Sequence, residues 1–335
     1  MSGTTTTPAA SGAGSGLTSL AAWRALFRDR PLIPLTGLLA VLVLLMALVK
    51  PDIMSPNWFG VTVRTAIPLA LLAACQTITF LTGGIDLSVG AVASMSGFLV
   101  ATLVGPQGLV LAIVIALIVA AIAGAATGIG VGIFRVHPLI MTLGMSLIVL
   151  GFANVWQIMM VQTGAGVPTQ LRWLGSGLTL EVIPNALLVF VPIAALIILM
   201  LKRTGYGRLL YAIGDNPVAS RLSGARSWKV LVVLYMISAV IAAIAGFILS
   251  GLTNTASVTL ADTAVLPSVA AAVIGGTSIM GGRGGYGGTI VGALILTVLT
   301  ALLAALGFPE AIRQVLFGSI IVIVAAAYTR VTAES

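Results

Sequence analysis

The segment of the sequence that decides the fold reads Leu109-Val-Leu-Ala-Ile-Val-Ile-Ala-Leu-Ile-Val-Ala-Ala-Ile-Ala-Gly-Ala-Ala-Thr-Gly-Ile-Gly-Val-Gly-Ile-Phe134. It contains no charged residue, and it is longer than the roughly 20 apolar residues that a helix needs to cross a bilayer. A surface helix of a soluble domain would carry polar residues on its outer face. The segment is therefore predicted to be a transmembrane helix.

The composition of the whole chain supports the same conclusion. Of its 335 residues, 59% are hydrophobic and 7% are charged, and the mean hydropathy is +1.18. Soluble domains carry about 25% charged residues, so this chain could not cover a water-facing surface. A single cysteine, Cys75, excludes an internal disulfide and a cysteine-based metal site. The sequence predicts an all-α polytopic membrane protein and excludes a cytosolic enzyme.

About ten transmembrane helices are expected, because ten stretches are long and apolar enough. Two of them, 88–104 and 263–280, are interrupted by glycine, proline and hydroxyl-bearing residues. These two are candidates for broken or re-entrant elements, which a bilayer tolerates where protein or a watery cavity covers the backbone. The other candidates are 32–49, 63–82, 109–134, 138–160, 183–201, 230–251, 288–306 and 311–328.

The distribution of basic residues predicts the orientation. With the N-terminus in the cytoplasm and ten alternating spans, both termini are cytoplasmic. Twelve of the sixteen lysines and arginines then lie inside and four outside. Cytoplasmic loops of membrane proteins collect such residues. This bias explains the net charge of +8, so nucleic acid is not an expected partner.

The N-terminal segment differs from the rest. Residues 1–30 are rich in threonine, serine, glycine and alanine, and they end in the basic residues Arg24, Arg28 and Arg30. Such a composition cannot bury enough apolar surface to offset the entropy of ordering. We expect a disordered cytoplasmic tail over 1–30 and a transmembrane domain over 31–330.

The largest cytoplasmic loop, 202–229, carries six basic residues and one acidic residue. Tyr206, Leu209, Leu210 and Ile213 have the spacing of one helical face. Further along, an Asn-Pro pair is typical of a helix start and a glycine of a helix end. Two short amphipathic helices are therefore predicted. They either lie against lipid headgroups or dock a cytoplasmic partner, and the two caps favour docking.

Two further stretches are unusual. In 81–90, Asp86 and Ser88 interrupt an apolar region. They act as acceptors at a helix start, as a direct binding site for a substrate or ion, or in a conformational switch. In 275–288, eight of the residues are glycine, which predicts close helix approach and a sharp turn. The lysines lack the glycine spacing of a phosphate-binding loop, so no nucleotide is expected on this chain.

The spans also contain uncharged polar residues, while a catalytic constellation is missing from the sequence. Such groups satisfy hydrogen bonds between helices, and the same kinds of group would line a pore for a neutral, hydroxyl-rich solute. Scarce membrane charge argues against a proton-coupled carrier. The candidates for the pore or substrate site are Gln76, Thr79, Asp86, Ser88, Asn154, Gln157 and Asn254.

Four motifs resemble the permease subunits of ribose-type ATP-binding cassette importers. They are Thr82-Gly-Gly-Ile-Asp-Leu-Ser-Val-Gly90, His137-Pro-Leu-Ile-Met-Thr-Leu-Gly144, Thr204-Gly-Tyr-Gly-Arg-Leu-Leu-Tyr-Ala-Ile-Gly-Asp-Asn-Pro217 continuing to Leu222-Ser-Gly224, and Val273-Ile-Gly-Gly-Thr-Ser-Ile-Met-Gly-Gly-Arg-Gly-Gly285. The motifs keep the order of the family, and the resemblance covers roughly residues 35 to 328.

The resemblance implies a permease domain over 31–330 that forms a homodimeric pore in the bacterial cytoplasmic (inner) membrane. Its implied partners are a separate ATPase subunit that binds ATP-Mg, an extracytoplasmic solute-binding protein, the lipid bilayer and a small sugar; no cofactor is expected on this chain. The loop 202–229 becomes the coupling element. The residues assigned to ATPase coupling are Gly205, Arg208, Gly214, Asn216, Pro217, Ala219, Arg221, Leu222 and Gly224.

Three interpretations of the function remain open at this point. The chain is the pore of a sugar importer, or it is a self-sufficient secondary carrier or channel for a small neutral solute. In the third, the importer carries a branched amino acid, urea or another small polar solute.

In one respect the chain departs from the family. An acidic residue and Ala-Ala usually follow the Asn-Pro pair, and Val218-Ala219-Ser220 stands here.

Overall fold

The structure is a computed structural model, and it describes residues 32–160, 166–319 and 322. The expected tail over 1–30 lies outside the described residues, and so do positions 320, 321 and 323–328 of the last candidate span. The helices are α1 Leu32–Val49, α2 Pro56–Phe80, α3 Val89–Gln107, α4 Leu109–Gly132, α5 Pro138–Met160, α6 Thr169–Ser176, α7 Leu187–Arg203, α8 Gly205–Asp215, α9 Pro217–Leu222, α10 Ser227–Thr253, α11 Val265–Ile274 and α12 Tyr286–Ala305.

Short elements complete the described part of the chain. Single 3-10 turns cover Pro51–Ile53 and Asp262–Ala264, and residues 310–319 are helical. Two two-residue strands, β1 Leu178–Thr179 and β2 Ile183–Pro184, pair antiparallel. The candidate span 183–201 therefore begins in a strand, and its helix starts at Leu187.

Seven helices within the described ranges are long and apolar enough to cross a membrane: α1, α2, α3, α4, α5, α10 and α12. An eighth candidate is α7 together with α8, which meet at a bend of 68°. The chain is thus an all-α polytopic membrane protein apart from the small strand pair.

The two interrupted candidate spans, 88–104 and 263–280, have different structures. The prediction of a broken element is confirmed for 263–280, because α11 has 10 residues and ends at the glycine-rich loop. At 1.5 Å per residue it is about 15 Å long, half of the hydrocarbon core. The same prediction is wrong for 88–104, where α3 is continuous.

The physical reason for this difference is burial. All of α3 from Val89 to Leu103 is buried inside the protein, so its surface packs on neighbouring helices rather than on lipid. One of its polar residues bonds a neighbouring segment there, since the Ser94 hydroxyl accepts a hydrogen bond from the Ala261 backbone N–H at 2.8 Å. The low hydropathy of this segment is explained by its contact with protein rather than lipid. The polar residues that lower the hydropathy do not break the helix.

Helix α10 lies at the centre of the fold, in contact with α2, α3, α4 and α6. A ladder of glycines on α4 permits its closest approach. A Cβ added to Gly128 would lie 2.5 Å from the Val232 Cα, and one added to Gly132 would lie 3.0 Å from the Trp228 carbonyl oxygen. Side chains at Gly124, Gly128 and Gly132 would collide with α10, so these glycines set the distance between the two helices.

The glycine-rich loop between α11 and α12 turns sharply, as the sequence predicted. Gly281, Gly282 and Gly284 have φ values of 96°, 70° and 133°, which are strained for any residue with a Cβ. Gly281 packs directly on the backbone of Gly214 at the end of α8. The loop is therefore tied to the helix that follows α7.

Replacing Gly128 by alanine should destabilise the protein by about 1–3 kcal/mol, because the added methyl group overpacks the contact between α4 and α10. The measurement is the midpoint of thermal unfolding of the purified protein in detergent. Gly151→Ala on α5 is the matched control, since no atom lies within 4 Å of its added Cβ. An equal midpoint for the two variants would contradict the close contact.

Candidate functional site

The predicted cytoplasmic helices are present as α8 and α9, and each begins at a side-chain cap. The Thr204 hydroxyl accepts a hydrogen bond from the Gly207 N–H at 3.1 Å. The Asn216 carboxamide oxygen accepts from the N–H groups of Val218 and Ala219 at 3.0 and 2.9 Å. Gly224, with a φ of 85°, follows the end of α9. The predicted start at Asn216 and stop at Gly224 are confirmed.

One face of α8 attaches it to the transmembrane helices. Leu210 and Ile213 are buried on this face. The Tyr206 hydroxyl donates a hydrogen bond to the Val230 carbonyl oxygen at 2.9 Å, and the Tyr211 hydroxyl donates to the Gly284 carbonyl oxygen at 2.9 Å. Helix α8 is thus held at both α10 and the glycine-rich loop.

The residues assigned to ATPase coupling divide into two groups. Gly214 is half-buried and packs against the Leu81 carbonyl oxygen and the Gly282 N–H, so its contacts are with this chain's own backbone. The remaining members are exposed: Gly205, Arg208, Asn216, Pro217, Ala219, Arg221, Leu222 and Gly224.

Helix α9 presents apolar side chains to the outside of the protein. The exposed fractions of Val218 and Leu222 are 56% and 85%. The only residue of α9 that is buried is Ser220. A short, capped helix with two exposed apolar side chains has the properties of a surface that a partner covers.

A second cluster, which we call the polar cluster, consists of Gln76, Asp86, Ser88 and Ser238. The Gln76 amide Nε2 donates to the Asp86 backbone carbonyl oxygen at 2.7 Å. All four side chains are buried, with exposed fractions of 5% or less. Thr79 lies one turn further along α2 and is also buried, and its hydroxyl donates to the Cys75 carbonyl oxygen at 2.9 Å.

The Asp86 carboxyl group accepts hydrogen bonds at both oxygens. Oδ1 accepts from the Ser88 hydroxyl at 2.6 Å and from the Ser88 N–H at 3.0 Å, and Oδ2 accepts from the Ser238 hydroxyl at 2.7 Å. Burial raises the pKa of Asp86, while these hydrogen bonds act in the opposite direction. The structural role predicted for Asp86 at the start of α3 is therefore present, and it extends to α10.

The structure does not bring the other pore candidates into this cluster. Asn154 and Gln157 lie exposed on α5. Asn254 ends α10 in a left-handed conformation with a φ of 54°, and it is also exposed. The seven candidates thus form a buried group of four and an exposed group of three.

Sequence reasoning missed two residues that belong with the buried group, Ser238 and Tyr235. They lie three positions apart in the 27-residue apolar helix α10, so they share one face. This pairing of polar groups was the signal that could have identified them. The hydrogen bond from Ser238 to Asp86 could not be predicted, because 152 residues separate the two.

Comparison with known proteins identifies the family. Residues 60–325 match the family described as the branched-chain amino acid transport system / permease component. The chain belongs to this family of transport permeases. No solved structure matches the permease significantly.

Several relatives of the permease have names that refer to sugars. It is 36% identical to the ribose import permease protein RbsC of Bacillus subtilis (strain 168), over 87% of this chain and 90% of the relative. It is 31% identical to the fructose import permease protein FrcC of Rhizobium meliloti, over 77% and 74%. It is 30% identical to the galactofuranose transporter permease protein YtfT of Escherichia coli (strain K12), over 84% and 86%.

Replacing Asp86 by alanine should destabilise the permease, because the Ser88 and Ser238 hydroxyls lose their acceptor in a buried site. Each buried group left without a partner costs about 1–3 kcal/mol. The measurement is again the unfolding midpoint in detergent. Asp52→Ala, which removes an exposed carboxylate, is the control and should leave the midpoint unchanged. Equal midpoints for the two variants would show that the polar cluster contributes nothing to stability.

Proposed function

We propose that the permease forms the translocation pathway of an ATP-driven, binding-protein-dependent importer in the bacterial cytoplasmic (inner) membrane. The proposed cargo is a monosaccharide or a similar small polyhydroxy solute, because the relatives named above carry ribose, fructose and galactofuranose in their names. ATP-Mg binds to a separate ATPase subunit, and a solute-binding protein delivers the cargo from outside. The chain itself carries no cofactor and catalyses no reaction.

The observation that carries this proposal is the exposed α8–α9 unit. Its caps fix two short helices beside the transmembrane body, and Leu222 is exposed by 85% at the end of α9. In the proposed topology, with ten spans and both termini inside, this unit lies in the cytoplasm. An ATPase that covers α9 would bias the permease between outward-open and inward-open states, through different affinities for the two states.

A second copy of the chain is part of the proposal. The polar cluster is buried and internally hydrogen-bonded, so its groups do not line an open path within this protomer. Asn154 and Gln157, in contrast, are exposed on α5 among apolar side chains. An amide group facing hydrocarbon would lack hydrogen-bond partners, which favours a position at a watery path or at an interface with the second copy.

Transport by the reconstituted system tests the function. Proteoliposomes would contain the permease, its ATPase and its binding protein, and labelled pentoses and hexoses would be supplied outside. We expect uptake that needs ATP, the ATPase and the binding protein together. Uptake by the permease alone, without ATP, would instead establish a secondary carrier or channel.

The coupling surface has a separate test. Leu222→Asp places a charge in the proposed apolar contact, and we expect at least a tenfold loss of co-purified ATPase with no change in the unfolding midpoint. Leu180→Asp is the matched control, because Leu180 is 81% exposed and lies on the opposite side in the proposed topology. Unchanged co-purification in Leu222→Asp would remove α9 from the docking surface.

A further inference from the structure

A cavity of about 340 Å³ opens where three elements end: α4 at Gly132, the turn before α5, and the N-terminus of α10. Arg135, Arg221 and Arg226 line it. Within the described part of the chain, the ion pair that forms joins Arg313 and Glu310, which do not line the cavity. No carboxylate there lies within 4.0 Å of the three guanidinium groups of the cavity. Three arginines without a carboxylate partner give this cavity the positive charge that an anionic group needs.

Two further features of the cavity point to an anionic ligand. Tyr235 lines it with 1% of its surface exposed, and its hydroxyl has no hydrogen-bond partner in the structure. The N-terminus of α10 has no side-chain cap, and Ser227, which also lines the cavity, has an unpartnered hydroxyl. The backbone N–H groups of Ser227 and Lys229 at this helix start donate to the carbonyl oxygens of Ala225 and Arg226. The helix therefore contributes the positive end of its dipole, and the unused donors are the hydroxyls of Tyr235 and Ser227. The cavity therefore offers both positive charge and unused donors.

The surroundings of the cavity are those of a membrane interface. Its wall changes from arginine to apolar groups, including Val131, Trp228 and Leu231. Beside it, at the end of α4, Ile133 and Phe134 are exposed by 50% and 73%. Tryptophan and arginine at the ends of spanning helices are typical of the headgroup level. A ligand with an anionic head and apolar chains would match the arginine-lined wall and the apolar surface beside it.

We propose that this cavity binds the phosphodiester headgroup of an anionic glycerophospholipid from the cytoplasmic leaflet. Guanidinium groups bind phosphate oxygens in a bidentate manner, and basic pockets between transmembrane helices on the cytoplasmic side recognise such headgroups. The volume has room for a phosphate with glycerol-sized substituents, since a water molecule takes about 30 Å³. The acyl chains would run along Ile133 and Phe134.

The position of this site links the lipid to the coupling surface. Pro217 and Arg221 of α9 line the same cavity as residues of α4 and α10. A lipid bound there contacts both the transmembrane body and the coupling helix. Only the assignment of the site to the cytoplasmic leaflet depends on the proposed topology; binding itself is measured on the isolated permease, so it can fail or succeed independently of transport.

The test is native mass spectrometry of the purified permease without ATPase, titrated with phosphatidylglycerol or phosphatidylcholine. We expect phosphatidylglycerol to be retained selectively and the double variant Arg135→Gln/Arg226→Gln to lose about tenfold in affinity. The double variant Lys50→Gln/Arg172→Gln removes the same charge from exposed positions elsewhere and should bind as the unmodified protein does. Tyr235→Phe should weaken binding about threefold.

Three results would overturn the proposal. The first is equal affinity of the two double variants for phosphatidylglycerol. The second is equal retention of phosphatidylcholine, which would indicate general lipid adhesion. The third is displacement of phosphatidylglycerol by millimolar inorganic phosphate, which would assign the cavity to a free anion.

Discussion

The contact between the backbones of α4 and α10 is the constraint on which the rest of the structure depends. Lipid offers no hydrophobic drive for one apolar helix to associate with another, so packing at short distance must provide it. The glycines at 124, 128 and 132 remove the side chains that would hold the two helices apart. With α10 fixed in this way, Tyr235 and Ser238 face the start of α3, and the polar cluster can form. The same contact places the N-terminus of α10 beside the end of α4.

Much of this architecture was predictable because membrane spans are long and apolar. In a bilayer, the segment 109–134 and the similar segments beside it could form only transmembrane helices. Helices α8 and α9 were predictable for another reason, because the residues that cap a helix lie next to it in the sequence. Whether 88–104 forms a continuous or a broken helix was not predictable from hydropathy. A helix surrounded by protein needs no apolar surface for lipid, so α3 has the composition of an interrupted span while it is continuous.

The candidate site was predictable only in part, and the limit has a physical origin. Asp86 and Ser88 are two residues apart, so their hydrogen bond is a local event. The bond from Ser238 to Asp86 depends on how α10 packs, and nothing near either residue in the sequence specifies that packing. In a similar way, the amides of α5 could be recognised as polar, but their exposure follows from which helices α5 contacts.

The bend of 68° between α7 and α8 has a mechanical consequence. Helix α8 has 11 residues and is about 16 Å long, so a rotation of about 10° at Thr204 would displace its far end by roughly 3 Å. That far end is not free, because Gly214 packs against the 81–84 turn and the glycine-rich loop. A movement of α9 that displaces α8 would therefore press on the 81–84 turn, which ends two residues before Asp86. Helix α8 thus connects α9 to the buried end of the transmembrane bundle.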